Sequence, residues 1–372
     1  SLMLVFLCSC WSLSAQIKTN FELSTQTGME YNVFKAPAEL WGELSELGRN
    51  GDILTSAYQK IRFRTSMQKA WGKQKISLTL QPKLQWYLNE QEVSYTNWYT
   101  RLRYDYRFSK ALKWQSNLRY QLNARAGTNV GDGEFVTPLG YQNFDWNNRL
   151  QFRLSKKNRS QVKLSLGKRD YRDGDTNQLQ YHFVRMEAEY KNLFKKDKLK
   201  HHYGFRLDWS KRFYKRSFTD KSRAARLRSI DYLSLGIFYS HSLTKYFRLQ
   251  PTLTFKRGID SNRGRLSYNQ IRPSIELQYQ RKKWRIELRG SWIYKQYTSF
   301  YATDLDDEEL EDLLTFNYLQ LKFTLRREIT DQLFFSIDGH LNNRMSNKLD
   351  FESASFRSYL HAYFGVGIKW LF

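Results

Sequence analysis

Cysteine is almost missing from this chain. Its 372 residues hold two, Cys8 and Cys10, both inside the first fifteen positions. A framework of disulfides, the usual support of small exported domains, is therefore excluded for the rest of the chain. Proline is scarce as well, at 5 residues. After the opening segment no apolar run is long enough for a membrane-spanning helix, which needs about 20 residues. Mean hydropathy is -0.70. Acid is the other shortage: 36 Asp and Glu stand against 61 Lys and Arg, a formal charge of +25. Such an excess points first to anionic partners, nucleic acid among them. What the chain does have is aromatic side chains, 16% of the total. Disordered chains are poor in these, so a folded protein is expected.

The opening segment reads as a targeting signal. Leu2 to Ala15 carry no charge and are mostly apolar, too short for an anchor, and Ser14-Ala15 offers a small-residue cleavage site. The expected organisation is a secretory signal over 1–15 and a single domain over 16–372. A rival reading takes Leu7-Cys8-Ser9-Cys10 as a loose lipobox with Cys10 acylated.

From there to the end the hydrophobic period is 2, not 3.6. Residues 98–108 put Trp98, Leu102, Tyr104, Tyr106 and Phe108 on one face and Arg101, Arg103, Asp105 and Arg107 on the other. The same alternation runs through 112–126 and 144–154 and recurs in 199–209, 247–256, 284–294 and 319–326. Connections between the runs alternate short and long. This predicts an all-β, up-and-down antiparallel transmembrane barrel. Sixteen strands are expected, near 18–34, 56–70, 75–89, 94–108, 111–126, 141–155, 160–171, 179–193, 198–210, 229–242, 246–258, 265–280, 283–299, 315–327, 332–345 and 355–372.

A soluble β-sandwich also alternates, but its strands are usually about 5–6 residues long, shorter than these runs. The last run separates the two. Leu360, Ala362, Phe364, Val366, Ile368, Trp370 and Phe372 share one face. An alternating terminal strand ending in Phe resembles the C-terminal assembly signal of Gram-negative outer-membrane barrels, carried here by Phe364, Val366, Ile368, Trp370 and Phe372. The resemblance covers the whole chain as an architecture. It implies an outer-membrane location, contact with membrane lipid and lipopolysaccharide, and recognition by the barrel assembly machinery. The signal ending in Ala-Gln and the Tyr- and Lys-rich barrel look like proteins of Bacteroidota outer membranes.

Some positions break the local rules. Pro82, Pro251 and Pro273 lie inside alternating runs, where proline cannot donate to the ladder, so bulges or rim positions are expected. Short helices are expected over 38–47 and 304–313.

With the apolar set facing lipid, the opposite set lines the lumen, because a lipid-facing Arg or Lys at midplane costs about 2–4 kcal/mol. The basic residues so placed are Arg62, Arg64, Arg101, Arg103, Arg107, Arg119, Arg125, Arg149 and Arg153 in the first half of the chain. In the second they are Lys163, Arg206, Arg248, Arg272, Arg285, Arg289 and Lys322. Fewer acids share that face: Asp105, Asp145, Glu187, Glu189, Asp208, Glu276, Glu287 and Asp338. Clustered cations behind a low-dielectric wall concentrate anions, and rings of Arg and Lys favour anions in pores. The same charges also suit a structural filling of the interior.

Two outer loops stand apart. Residues 211–228 hold eight basic residues and one acid, Asp220. Residues 301–313 hold seven acids, among them Asp304, Asp306, Asp307, Glu308 and Glu309, and no base. Three readings stay open for the acidic segment: a constriction folded over the basic mouth, a calcium site through Asp304, Asp306 and Glu308, or a solvated loop. The basic loop either meets lipopolysaccharide phosphates or is solvated.

Signs of catalysis are few. None of the six histidines sits in HExxH or another metal spacing, and no GxSxG is present. His202, His340 and His361 are expected in the lumen, and His182 and His201 on the outside without an evident Ser partner. No enzyme, metal or cofactor is expected. Nucleic acid is not expected either, since the charge is spread along strands inside a wall. The leading expectation is a porin-like channel for small anionic solutes or acidic oligosaccharides. The alternatives are a non-conducting accessory barrel of a secretion, gliding or polysaccharide-export machine, and an outer-membrane lipid enzyme.

Overall fold

The computed structural model describes residues 17–33, 35, 53–89, 94–125, 140–171, 180–196, 199–214, 228–261, 264, 266–304, 308–348 and 358–372. The expected signal segment, the helix over 38–47, Asp306 and Asp307 lie outside them.

Sixteen strands follow in chain order: β1 Lys18–Tyr31, β2 Thr55–Trp71, β3 Gln74–Tyr87, β4 Tyr95–Arg107, β5 Leu112–Arg125, β6 Tyr141–Arg153, β7 Asn158–Tyr171 and β8 Tyr181–Lys196. Then come β9 Leu199–Tyr214, β10 Ser229–Ser242, β11 Phe247–Asp260, β12 Tyr268–Arg281, β13 Trp284–Thr303, β14 Glu309–Glu328, β15 Leu333–Ser346 and β16 Tyr359–Leu371. Each pairs antiparallel with its sequence neighbours, and β1 closes on β16, with Leu23 opposite Trp370 and Met29 opposite Phe364. The expected architecture is thus the observed one: a closed, all-β, sixteen-stranded antiparallel barrel.

Closure sorts the alternating residues. Phe63, Trp98, Leu118, Phe144, Leu207, Ile237, Trp292 and Phe364 are exposed on the outer wall. Exposed apolar surface on that scale is stable only in contact with lipid. The opposite residues of the same strands point inward and bond to one another across ladders.

The short turns carry their own signature. Ser109, Ser155, Thr244 and Thr330 each use a side-chain oxygen to accept backbone N–H groups two and three residues ahead. These local bonds offer the backbone a turn in place of a continued ladder. The β2–β3 hairpin instead turns at Gly72, whose φ of 52° suits glycine.

Three expectations need correction. No bulge marks the prolines, none displaces the register, and each lies well inside its strand and not at its rim. Arg62 pairs with Lys83 and Thr65 with Leu80, so the β2–β3 register is the same on both sides of Pro82. The β12–β13 ladder resumes likewise across Pro273, and the β10–β11 ladder across Pro251. In each case the other flanking ladder runs through the proline without a break. A strand residue aims its N–H and C=O at one neighbour only, so the missing donor weakens one ladder and spares the other. The second correction concerns 304–313, whose described residues form no helix. β13 extends to Thr303 and β14 starts at Glu309. Between them the Asp304 N–H donates to the Glu308 carbonyl at 3.0 Å, and the Glu308 N–H to the Asp304 carboxylate at 2.9 Å. Register shifts between Gln296 and Thr303 absorb the irregular pairing. The basic stretch is shorter than expected too, since Lys211 to Tyr214 belong to β9.

Candidate functional site

The inner wall falls into two zones. Nearer the short turns it is a mosaic of cations and carboxylates. Asp105, 4% exposed, accepts from Arg103 at 2.8 Å and pairs with Lys113 at 3.0 Å. Asp145, 3% exposed, accepts from Arg119 at 2.7 Å and from Asn143 at 3.1 Å. Arg185 contacts Glu187 and Asp208. Arg206 lies between Glu187 and Glu189. Arg285 pairs with Glu287, and Arg289 with Glu276. Arg62 and Lys369 both reach Glu22, at 3.3 and 3.0 Å. Charge-assisted bonds of this kind hold long side chains flat against the wall.

The remaining cations of the expected set are not so tied. Among the described residues, Arg64, Arg101, Arg107, Arg149, Arg153, Lys163, Arg248 and Lys322 show no carboxylate within ion-pair distance. Arg272 meets only neutral oxygens, Ser291 Oγ at 3.3 Å and Gln320 Oε1 at 3.4 Å. Arg125 closes β5. The untied residues are not scattered. Arg101, Arg149 and Lys163 line one cavity of about 290 Å³ on β4–β7, together with Arg103, Lys113 and Arg119. Among the described residues no carboxylate lines it: Asp105 and Asp145 are buried, each paired with its arginine. The Nε atoms of Arg101 and Arg149 are covered and make no hydrogen bond. Wider basic cavities open at the short-turn end, about 600 Å³ over β4–β8 and about 580 Å³ around Lys60, Arg62, Arg64, Lys322 and Lys369.

Nearer the long loops, aromatic rings replace the carboxylates. Arg169 lies 4.5 Å from the Tyr141 ring, and Arg212 4.8 Å from Tyr181 and 5.0 Å from Tyr232. Lys256 lies 4.6 Å from Tyr232. Lys295 lies 4.1 Å from both Tyr268 and Tyr297. Arg344 lies 4.7 Å from Phe316, and Lys83 4.6 Å from Tyr95. Cation and ring alternate around the inner wall as a belt. Desolvated contacts of this type are worth about 2 kcal/mol each. The rings are largely buried, with Tyr58 and Phe316 at 2% exposure. Glycine makes room for them: a Cβ on Gly258 would sit 2.5 Å from the Tyr268 ring.

Three inner acids were missed from sequence: Glu22, Glu30 and Asp260. Glu30 accepts from Tyr87 at 2.6 Å and contacts His361 at 2.8 Å. Asp260 pairs with Arg228 at 3.2 Å. Along β1 the outward apolar set is thin, with Thr25 and Thr27 between Leu23 and Met29, so alternation is weak there. His340 lies beside His361 in the lumen, and His202 against Phe238. His201 faces outward, stacked on Phe194 at 5.2 Å and 4.8 Å from His241. Among the described residues no group of three His, Cys, Asp or Glu could hold a metal ion. Of the acidic outer segment, Asp304 and Glu308 form the tight hairpin end and Glu309 is the first residue of β14. Phe364, Val366, Ile368, Trp370 and Phe372 all lie exposed on the outer wall.

No protein-family model matches the chain, and no curated protein matches by sequence. Solved structures do. OccAB1 of Acinetobacter baumannii superposes with a TM-score of 0.54 at 8% identity, covering 95% of this chain and 96% of that one. An OccD1 (OprD) variant does so at 0.51 and 9%, covering 96% and 97%. OmpT, an outer membrane protein of Vibrio cholerae, aligns as a loop-deletion mutant at 0.47 and 9% over 97% and 100%. The fold is that of the outer-membrane porins. By this structural likeness the chain has the fold of a bacterial outer-membrane β-barrel. At such identities the likeness concerns the fold alone, and the chemistry of the lumen has to come from this chain's own residues.

Proposed function

We propose that this barrel is a porin-like channel whose inner wall favours anions, either small anionic solutes or acidic oligosaccharides. The observation that carries this reading is the β4–β7 cavity, where Arg101, Arg149 and Lys163 face the interior without a carboxylate. Exposed like charges on a low-dielectric wall raise the local concentration of counter-ions. A sixteen-stranded barrel is also wide enough for an aqueous passage. Planar-bilayer recording in a potassium chloride gradient tests it. The expected reversal potential lies toward chloride, and the Arg101→Glu/Arg149→Glu/Lys163→Glu variant moves it toward potassium. Absence of any conductance would sink the channel reading.

One observation favours a second reading, a non-conducting accessory barrel in an envelope machine. The aromatic belt buries its rings inside the barrel near the long loops. That is how a filled interior is built. The same recording separates the two.

A further inference from the structure

The outer wall carries a feature that the lumen does not account for. Across β9–β13 an apolar row runs Leu207, Leu235, Phe255, Ile271 and Tyr294, each opposite the next in register. One step nearer the long loops runs a second row: Trp209, Leu233, Arg257, Asn269 and Gln296. Apart from Trp209, the residues of the two rows line an open groove of about 450 Å³ on the lipid-facing surface. Arg257 and Asn269 are exposed there.

An outward-facing guanidinium needs a reason. Near midplane it would cost about 2–4 kcal/mol, and near the interface about 0–1. Arg257 sits close to the end of β11 and Asn269 next to the start of β12, so both lie at the interface on the long-loop side. Two other outward cations carry their own acids. Lys168 pairs with Asp170, and Lys211 pairs with Asp231 at 3.1 Å. Arg257 has no carboxylate among the described residues, and neither the Asn269 nor the Gln296 amide makes a hydrogen bond among them. A forked cation followed in register by two free amides, above an apolar groove, matches a phosphorylated sugar carrying an acyl chain.

We propose that this groove seats a phosphorylated glycolipid of the outer leaflet, of the lipid A type. Its phosphate meets Arg257, its sugar hydroxyls meet Asn269 and Gln296, and one acyl chain lies along Leu207, Leu235, Phe255 and Ile271. The site depends on the membrane location and not on whether the lumen conducts.

Native mass spectrometry of the folded barrel released from detergent, with added lipid A, tests it. One lipid A is expected to stay bound. Arg257→Gln is expected to weaken retention about tenfold. Leu235→Trp, which fills the groove and leaves Arg257 in place, is expected to do the same. Lys211→Gln should leave retention unchanged. Heat-modifiable migration on gels shows that each variant is folded. Equal retention by Arg257→Gln, equal retention of lipid A stripped of phosphate, or equal competition by phosphatidylglycerol would each overturn the proposal.

Discussion

Arg101 stands directly opposite Arg119 across the β4–β5 ladder, and of the two only Arg119 has a carboxylate, Asp145 at 2.7 Å. Like charges at directly opposed positions repel, and the pair is tolerable because one of them is discharged from behind. Asp145 is therefore expected to matter more for stability than either arginine. Asp145→Asn should destabilise the barrel by roughly 1–3 kcal/mol, because it removes the counter-charge of Arg119 and turns an amide donor toward the Asn143 donor. Arg101→Gln should be neutral or slightly stabilising. Urea unfolding in lipid vesicles, followed by tryptophan fluorescence, checks both. An equal loss in the two variants would contradict the asymmetry.

The same pair separates stability from selectivity. Arg101→Gln removes a cation that no acid neutralises, so the anion preference of the channel should fall although the fold is unharmed. Arg103→Gln should change it less, because Arg103 is already committed to Asp105 at 2.8 Å. Reversal potentials of the two single variants, compared under one salt gradient, give the ranking. A larger effect at Arg103 would mean that the ion pairs open in the working protein.

At the β1–β16 seam Gly28 faces Gly365, and the Tyr58 hydroxyl fills the space they leave. A Cβ on Gly365 would come within 2.3 Å of that hydroxyl and 2.4 Å of the Gln26 amide. Gly365→Ala should thus cost about 1–3 kcal/mol by overpacking. Tyr58→Phe, which removes the obstructing oxygen, should recover part of the loss in the double variant. The same unfolding assay reads the coupling, and strict additivity would refute the contact.

Much of this fold could be read from alternation, because a strand that meets lipid on one side and water on the other must alternate. Every expected strand has its counterpart. The failure at 304–313 has a local cause. Leu310, Leu313 and Leu314 fall at helical spacing, yet pairing with the end of β13 overrides that preference, and Leu314 becomes fully buried inside. The inner wall was legible as a list of cations but not as a circuit. Alternation tells which face Arg62 and Arg64 occupy. It does not tell that Glu22 on the neighbouring strand reaches Arg62 and not Arg64, because that depends on register and side-chain reach: Glu22 stands opposite Arg64 yet pairs with Arg62.

The proline positions allow a sharper test of ladder physics. Pro273 leaves the β12–β13 ladder short of a donor while its pairing with Leu253 on β11 continues. Pro273→Ala restores one N–H facing β13, worth about 0.5–1.5 kcal/mol. It also frees the unfolded chain, which costs about 0.4–1 kcal/mol. Net stability should barely change. Hydrogen exchange should nevertheless slow at the β13 residues facing the gap, which distinguishes a repaired ladder from an unaltered one.

The belt near the long loops decides how wide any passage is. Lys295 lies 4.1 Å from the rings of Tyr268 and Tyr297, which are 8% and 7% exposed. Rings so well buried inside a barrel occupy space that water would otherwise fill. Removing both in Tyr268→Ala/Tyr297→Ala costs stability, about 3–5 kcal/mol per ring as for other large aromatic truncations. It also withdraws the π faces that hold Lys295, so this cation becomes free to meet mobile anions. If the belt sets the narrowest section, single-channel conductance should rise several-fold and chloride preference should increase with it. A folded variant with unchanged conductance would place the narrowing elsewhere. A silent wild type that conducts only after this change would identify the belt as the element that closes the barrel.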